Sequence, residues 1–401
     1  MQDPELGARI SNARSAMRRR GLDAYIVSSG DNIWYLTGLV YQPEERPFFI
    51  VLPAEGRPTL IVPTLEARHL AAPPIDCDIA VYWEFPSPKG SGWSDILRKT
   101  LKGARSVGVG GKMKASVIEE IRDLSPAVTD IVEELRLVKS PVEVGMIRRS
   151  AAIASAAMGK LLKSICKGGS VVESFMVSKS VQTGLIKSGA FNPLSTQLLT
   201  AAWPAPQSSM PHSVPSLESR FGNRGPNVAM CYFRVNGYAA ECERTFFLDT
   251  PSPDDVERFA LIAEARRRAL AALRPRALCS EIDEAANGYL REKGCSEQLL
   301  HRTGHGIGLG NHEEPWLAEG DDRPLREGMV VSVEPGLYFS DRGGYRHSDT
   351  VLITEDGYEI LTSYPVSLEE MAIGGGSVGA RIRSAIVRSA LRGKSGRINS
   401  S

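Results

Sequence analysis

A chain of 401 residues, 42% of them apolar and 24% charged, is long enough for two domains. Its net charge of +1 gives nucleic acid or a membrane surface little to attract, and no apolar run approaches the ~20 residues of a membrane span. The polar start "MQDPELGARISNARSAMRRRG" carries no secretory signal, and six cysteines without a CxxC pair read as reduced thiols of a cytoplasmic protein.

Residues 5–20 have the pattern of an amphipathic helix. "LDAYIVSS" (22–29), "PFFIVLP" (47–53), "PTLIVPT" (58–64) and "SVGVGG" (106–111) read as strands, and "MKASVIEEIRDL" as helical. Strands alternating with helices predict an α/β domain over residues 1–138. At Ser140 the character changes. Ser140, Pro141 and Glu143 fit the N-cap, first and third positions of a capped helix of about 25 residues. Ser252, Pro253 and Asp255 repeat the device, and residues 280–294 predict a further helix. Between and after these helices lie paired strands, so residues 139–372 predict an α+β domain. Residues 373–401 are glycine- and serine-rich and basic, the composition of a flexible tail.

The chemistry gathers in the second half. "VAMCYFRVNGYAAECERTFFL" (228–248) reads as a hairpin that places Glu241 and Glu243 on one face of a strand, with Cys242 on the other. Two readings are open: a charged hairpin edge facing solvent, or an acidic pocket for a metal or a cationic substrate. Three of the six histidines lie in "HRTGHGIGLGNHEEP": His301, His305 and His312. The glycines of that tract lack GxGxxG spacing, so close approach of backbone to a substrate explains them better than a phosphate loop. "GMVVSVEPGLYF" (328–339) is an apolar strand interrupted by Glu334, a carboxylate that needs an ion-pair partner such as Arg346, a proton, or a function. "GGYRHSDTVLITEDGYEILT" (343–362) reads as a hairpin carrying Arg346, His347, Ser348 and Asp349. "SSMPHSVPS" presents His212 in a loop suited to proton transfer.

"PHSVPS", "NGYAAECERTF", "RTGHGIGL", "HEEP", "EGMVVSVEPGLY" and "DTVLITEDGYEILT" together resemble the creatinase, prolidase and aminopeptidase P family. The resemblance runs over residues 140–365, and the N-terminal α/β domain is similar to that family's smaller domain. It implies a pita-bread catalytic domain, and a homodimer in which the neighbour's small domain closes the site. The segment 38–51, with Arg46, is the candidate for that contribution. Metallopeptidase members hold two metals with two aspartates, a histidine and two glutamates. Carried over, the histidine is His305, the first glutamate Glu334 and the second aspartate Glu241. Met230 stands for the first aspartate and Ser348 for the last glutamate. A thioether and a hydroxyl are poor substitutes for carboxylates, so the resemblance implies no dinuclear centre.

"CERTFFLD" is similar to creatinase, the metal-independent member. That likeness implies His212 as catalytic histidine and Glu243 and Glu334 as catalytic, substrate-polarising carboxylates. Glu241, His305, His312, Arg346 and Ser348 are expected to contact substrate. The expectation is therefore a hydrolase of a C–N bond in a small cationic or amidine-like molecule, without metal or other cofactor. A Xaa-Pro-type metallopeptidase with a degenerate metal site and a non-catalytic binding protein of the same fold are the alternatives.

Overall fold

Two separate sets of contacts organise the chain, which divides after Arg136. The computed structural model describes residues 3–41, 44–216, 218–222 and 225–392. In the first unit, α1 (Pro4–Arg19) starts where the Asp3 carboxylate accepts the Glu5 N–H. Then follow β1 (Ala24–Val27), α2 (Gly30–Thr37), β2 (Phe49–Pro53), β3 (Thr59–Pro63), β4 (Asp78–Tyr82) and α3 (Trp93–Thr100). The unit ends with β5 (Val107–Val109), α4 (Ala115–Glu120), β6 (Ala127–Val128) and α5 (Ile131–Arg136). The six strands form one sheet in the order β4-β3-β2-β1-β5-β6. It is mixed: β1 is parallel to β5 but antiparallel to β2, and β2 is antiparallel to β3. The short turn between β2 and β3 can join only antiparallel neighbours, whereas β1 and β5 have room for a crossover. Ile26, Phe49, Val51, Ile61, Leu97, Val109 and Ile121 build the core beside the sheet.

The second unit opens with α6 (Pro141–Ser164), whose predicted cap is formed in both directions. Ser140 Oγ accepts the Glu143 N–H at 3.2 Å, and Glu143 Oε2 accepts the Ser140 N–H at 3.0 Å. Ser140→Ala is expected to cost ~0.5–2 kcal/mol in urea unfolding of the full chain, leaving the fold intact. After it come α7 (Val172–Lys187), β7 (Gln197–Trp203), β8 (Asn227–Val235), β9 (Tyr238–Phe246) and the capped α8 (Pro253–Ala272). The helix expected over 280–294 is α9 (Cys279–Asp283) and α10 (Tyr289–Glu292), joined through a wider-wound turn at Glu284–Gly288. Next are β10 (Gly304–Gly306), β11 (Glu313–Leu317), β12 (Val330–Val333), β13 (Gly336–Phe339), β14 (Gly343–Arg346), β15 (Ser348–Thr354) and β16 (Gly357–Ile360). The last helices are α11 (Leu368–Met371) and α12 (Val378–Arg392).

The large sheet runs β11-β10-β12-β15-β9-β8-β7, with β16 beside β15. One face is apolar: Cys231, Phe233, Cys242, Val331, Val333 and Val351 join the core cluster with Met158, Leu161, Phe259 and Ile262 of α6 and α8. Side-chain alternation puts every neighbour of these residues on the opposite face, and that face carries the polar groups. The apolar run 328–339, expected as one strand, divides into β12 and β13, which belong to different sheets. Pro335 has no N–H for the ladder, so pairing stops there, and the Glu334 N–H turns to the Thr303 carbonyl. The 343–362 hairpin is divided too, into β14 on the small sheet and β15–β16 on the large one.

The flexible tail expected from residue 373 onward is corrected over 378–392, which is helical. Ala380 and Ser384 are fully buried, and Arg388 donates to the Gly168 carbonyl at 3.0 Å. Small residues spaced four apart let this helix lie close against its own unit, and that overrides a composition that reads as linker. Among the described residues no helix is long and apolar enough to cross a membrane.

Candidate active site

Register brings the predicted residues of the second unit together. On the polar face Met230 lies opposite Glu243, and Glu243 opposite Ser348, across β8, β9 and β15. One pleat along, His305 on β10 lies opposite Ser332 on β12, and Ser332 opposite Thr350. Thr350 Oγ1 bonds the Glu241 backbone on both sides, accepting from its N–H and donating to its carbonyl. Glu241, Glu243, His305 and Ser348 are all buried, which disposes of the solvent-edge reading of the hairpin.

At the centre is His305. Its Nδ1–H donates to the Gly306 carbonyl at 2.9 Å, leaving Nε2 to face carboxylates. Nε2 lies 3.2 Å from Glu334 Oε1 and 3.7 Å from Glu241 Oε1. Burial works against a charged ring, but Glu334 and Glu241 overcome it and raise the His305 pKa to about 9. For Glu334 burial pushes upward, and charged His305, facing it at 3.2 Å, outweighs that with help from Arg346 and holds the carboxyl at about 2. Glu241 moves the other way, raised by burial and by Glu334 although His305, Ser332 and Ser348 oppose the shift. Ser348 Oγ and Ser332 Oγ both donate to Glu241 Oε1, the former at 2.9 Å. The hydroxyl at 348 is thus spent on a neighbouring carboxylate.

His312 stands at the exposed mouth, its ring 4.1 Å from that of His305. The sheltered flank of its ring and the nearby charge of His305 lower its pKa to about 4, with His212 also contributing. One ligand atom each from Glu241, His305 and His312 lies within 4.8 Å of the others. His212 is exposed in the loop after Met210, and Trp203 Nε1 anchors that loop by donating to the Ser213 carbonyl at 2.6 Å.

Arg346, one of the partners open to Glu334 from the sequence, is engaged elsewhere. It grips Glu243 with two prongs, Nη2 at 3.0 Å from Oε1 and Nε against Oε2. Glu243, expected to polarise a cationic or amidine-like substrate, is therefore already paired with a guanidinium of the chain itself. Burial opposes charge on both partners. Arg346 is nevertheless held charged by Glu243 and Tyr338, and the two-pronged contact requires an ionised carboxylate, so we read the pair as charged. His347, next to Arg346, points to the opposite face: it is fully buried, edge-on to Phe259 at 4.9 Å, and takes no part in the cluster.

Sequence reasoning missed a chain of groups behind Arg346. Arg346 Nη1 donates to the Tyr338 hydroxyl at 3.3 Å, and Tyr338 O–H donates to His301 Nε2 at 2.8 Å. His301 Nδ1–H in turn donates to the Arg302 carbonyl at 2.7 Å. Burial lowers the His301 pKa, consistent with the neutral ring this pattern needs. Only the fold-over of β13 onto β14 makes these groups neighbours.

The alternating glycines have a steric cause. A Cβ at Gly304 would lie 2.0 Å from the Ser332 carbonyl oxygen, and one at Gly306 would lie 2.1 Å from that of Glu314. Gly306→Ala is expected to cost ~1–3 kcal/mol by overpacking and to lower activity by displacing His305. Thermal unfolding and kinetics on the same variant separate the two effects.

The profile of metallopeptidase family M24 matches residues 145–355, and that of the creatinase/prolidase N-terminal domain matches residues 9–138. A probable dipeptidase PepE of Mycobacterium tuberculosis is 29% identical, over 91% of this chain and 97% of its own. A Xaa-Pro dipeptidase of Pyrococcus furiosus is 28% identical, over 88% and 97%. The crystal structure of dipeptidase PepE from Mycobacterium ulcerans superposes with a TM-score of 0.81 at 27% identity, covering 92% of this chain and 98% of the other. These likenesses favour the peptidase alternative over the creatinase-like expectation. With a family profile spanning more than half of it and the N-terminal partner domain alongside, the chain belongs to metallopeptidase family M24, as a hydrolase of C–N bonds.

Proposed function

We propose that this protein hydrolyses the C–N bond of small peptides of the dipeptide class, at the face formed by Glu241, His305 and Glu334. The observation that carries the reading is the buried Nε2 of His305, aimed between two carboxylates while Nδ1–H is tied to backbone. That is how a histidine is presented to a divalent cation. The donor set suits one such ion and not two. Glu241, His305, Glu334 and, at the mouth, His312 offer oxygen and nitrogen donors. Met230 instead packs beside the apolar Ala201, Trp203 and Val228, Ser348 is spent on Glu241, and Glu243 is spent on Arg346. A bound divalent cation supplies Lewis acidity at this place.

The chain's own groups do the rest. Glu334, ionised, keeps His305 in place and negative charge at the reacting face. His212, on its exposed loop, shuttles a proton between the attacking water and the leaving nitrogen. Glu243 and Arg346 form a neutral pair in the wall and leave the substrate-facing charge to Glu241 and Glu334.

The test is a panel of dipeptides, Xaa-Pro among them, assayed with Mn²⁺, Co²⁺ or Zn²⁺ and again with chelator. Guanidino, ureido and cyclic amidine compounds are assayed in parallel. Dipeptide hydrolysis that needs the cation is the expected result. Chelator-resistant turnover of an amidine-like compound with no dipeptide cleaved would select the creatinase-like reading, which the non-carboxylate residues at 230 and 348 favour.

A further inference from the structure

The first unit contains a cavity of about 830 Å³, lined entirely by its own residues. It lies where the topology of the sheet changes direction. Strands β1 and β5 are parallel neighbours, yet from β1 the chain goes to β2 on one side and from β5 to β6 on the other. In open α/β sheets the crevice beyond the carboxyl ends of such a strand pair is where ligands settle. Ser28 and Ser29, which follow β1, and Lys112 and Lys114, which follow β5, line it.

Phe85 is the exposed aromatic ring of the wall, and beneath the lining Phe49 and Trp93 are buried in the core of the unit, their centroids 5.4 Å apart and their planes tilted at 40°. The acidic lining groups are already engaged. Glu45 pairs with Arg46, the Asp95 carboxylate accepts the Gly90 and Gly92 N–H groups, and the Glu120 carboxylate accepts from the Ser94 hydroxyl with the Arg98 guanidinium 3.9 Å away. Lys89, Lys112 and Lys114 are exposed at the rim and make no ion pair or hydrogen bond among the described residues. An exposed aromatic ring beside three uncommitted ammonium groups is complementary to a molecule with an aromatic body and an anionic end. The volume falls within the ~300–1,000 Å³ typical of small-molecule sites.

We propose that this cavity binds an aromatic anion of nucleotide size, its ring against Phe85 and its phosphate or carboxylate among Lys89, Lys112 and Lys114. The cavity shares no residue with the Glu241–His305–Glu334 cluster, and the proposal stands whether or not the peptidase reading does. The test is calorimetric titration of the full-length protein with AMP and with phenyl phosphate, beside adenosine and inorganic phosphate as the separated halves. At least one of the two aromatic anions is expected to bind, and to weaken at high salt. In the exposed-lysine variant Lys89→Ala/Lys112→Ala/Lys114→Ala its affinity is expected to fall by at least ~10-fold, which is 1.4 kcal/mol. His305→Ala is expected to bind it as the parent does. The proposal is overturned if neither aromatic anion binds, if adenosine binds as tightly as AMP, if the triple lysine variant is unchanged, or if His305→Ala abolishes binding.

Discussion

Glu334→Gln is expected to lower kcat/KM by ~10²–10⁴-fold, the loss that follows removal of a positioned acid–base or charge-bearing group. The substitution keeps shape and removes charge, and it does so at the carboxylate most firmly ionised in the cluster. Burial alone would have raised that carboxyl, and it stands at about 2 because His305 faces it with charge at 3.2 Å. With glutamine there, His305 Nε2 has only Glu241, at 3.7 Å, to balance it, and a divalent cation loses one of its few oxygen donors. Steady-state kinetics on whichever substrate the panel yields, beside circular dichroism to confirm the fold, reads the effect. Turnover within a few-fold of the parent would remove Glu334 from the catalytic face and with it the proposed function. His212→Ala tests a different link. Its side chain is exposed, so unfolding should be unchanged while kcat falls.

The largest effect on stability is expected at Asp349, one residue beyond Ser348 and on the opposite face. Its carboxylate is fully buried and holds two arginines: Arg244 Nη2 at 2.8 Å from Oδ1, and Arg266 Nη2 at 2.6 Å from Oδ2. The Thr362 hydroxyl also donates to Oδ1 at 2.8 Å. Arg244 is itself buried and spends its other N–H groups on the backbone carbonyls of Glu243, Ser348, Tyr364 and Pro365, so it cannot turn to water. Asp349→Ala leaves that charge without a counter-ion, and breaking a buried pair in this way costs ~3–5 kcal/mol. Urea unfolding measures it. A loss under ~1 kcal/mol would mean that water enters and resolvates Arg244. Because Arg244 also clamps the backbone at Glu243 and Ser348, activity is expected to fall together with stability, in contrast to His212→Ala.

Much of the site could be read from residue order. Period-two alternation alone put Glu241 and Glu243 on one face and Cys242 on the other, and the strands obey it. Glu334 was conspicuous because a carboxylate inside an apolar run needs a reason. The partner of each group was not legible. Arg346 can reach either glutamate from its place in the sequence, and only the register Ser348 opposite Glu243 awards it to Glu243. Tyr338 was invisible as a site residue for the same reason: its hydroxyl meets Arg346 and His301 only because Pro335 ends one strand and starts another sheet.

What the sequence determined by itself is what depends on neighbours along the chain. The caps at Ser140 and Ser252 follow from hydrogen bonds spanning three residues, and the strand faces follow from alternation. The chemical poverty of positions 230 and 348 as metal ligands follows from the atoms that methionine and serine carry. What only the tertiary structure decided depends on pairs far apart in sequence. The Glu243–Arg346 ion pair spans 103 residues and the Ser332–Glu241 hydrogen bond spans 91. The first unit's cavity needs β1 beside β5, about eighty residues apart. Register across strands is set by the summed fit of a whole apolar face, a quantity no short window of sequence contains.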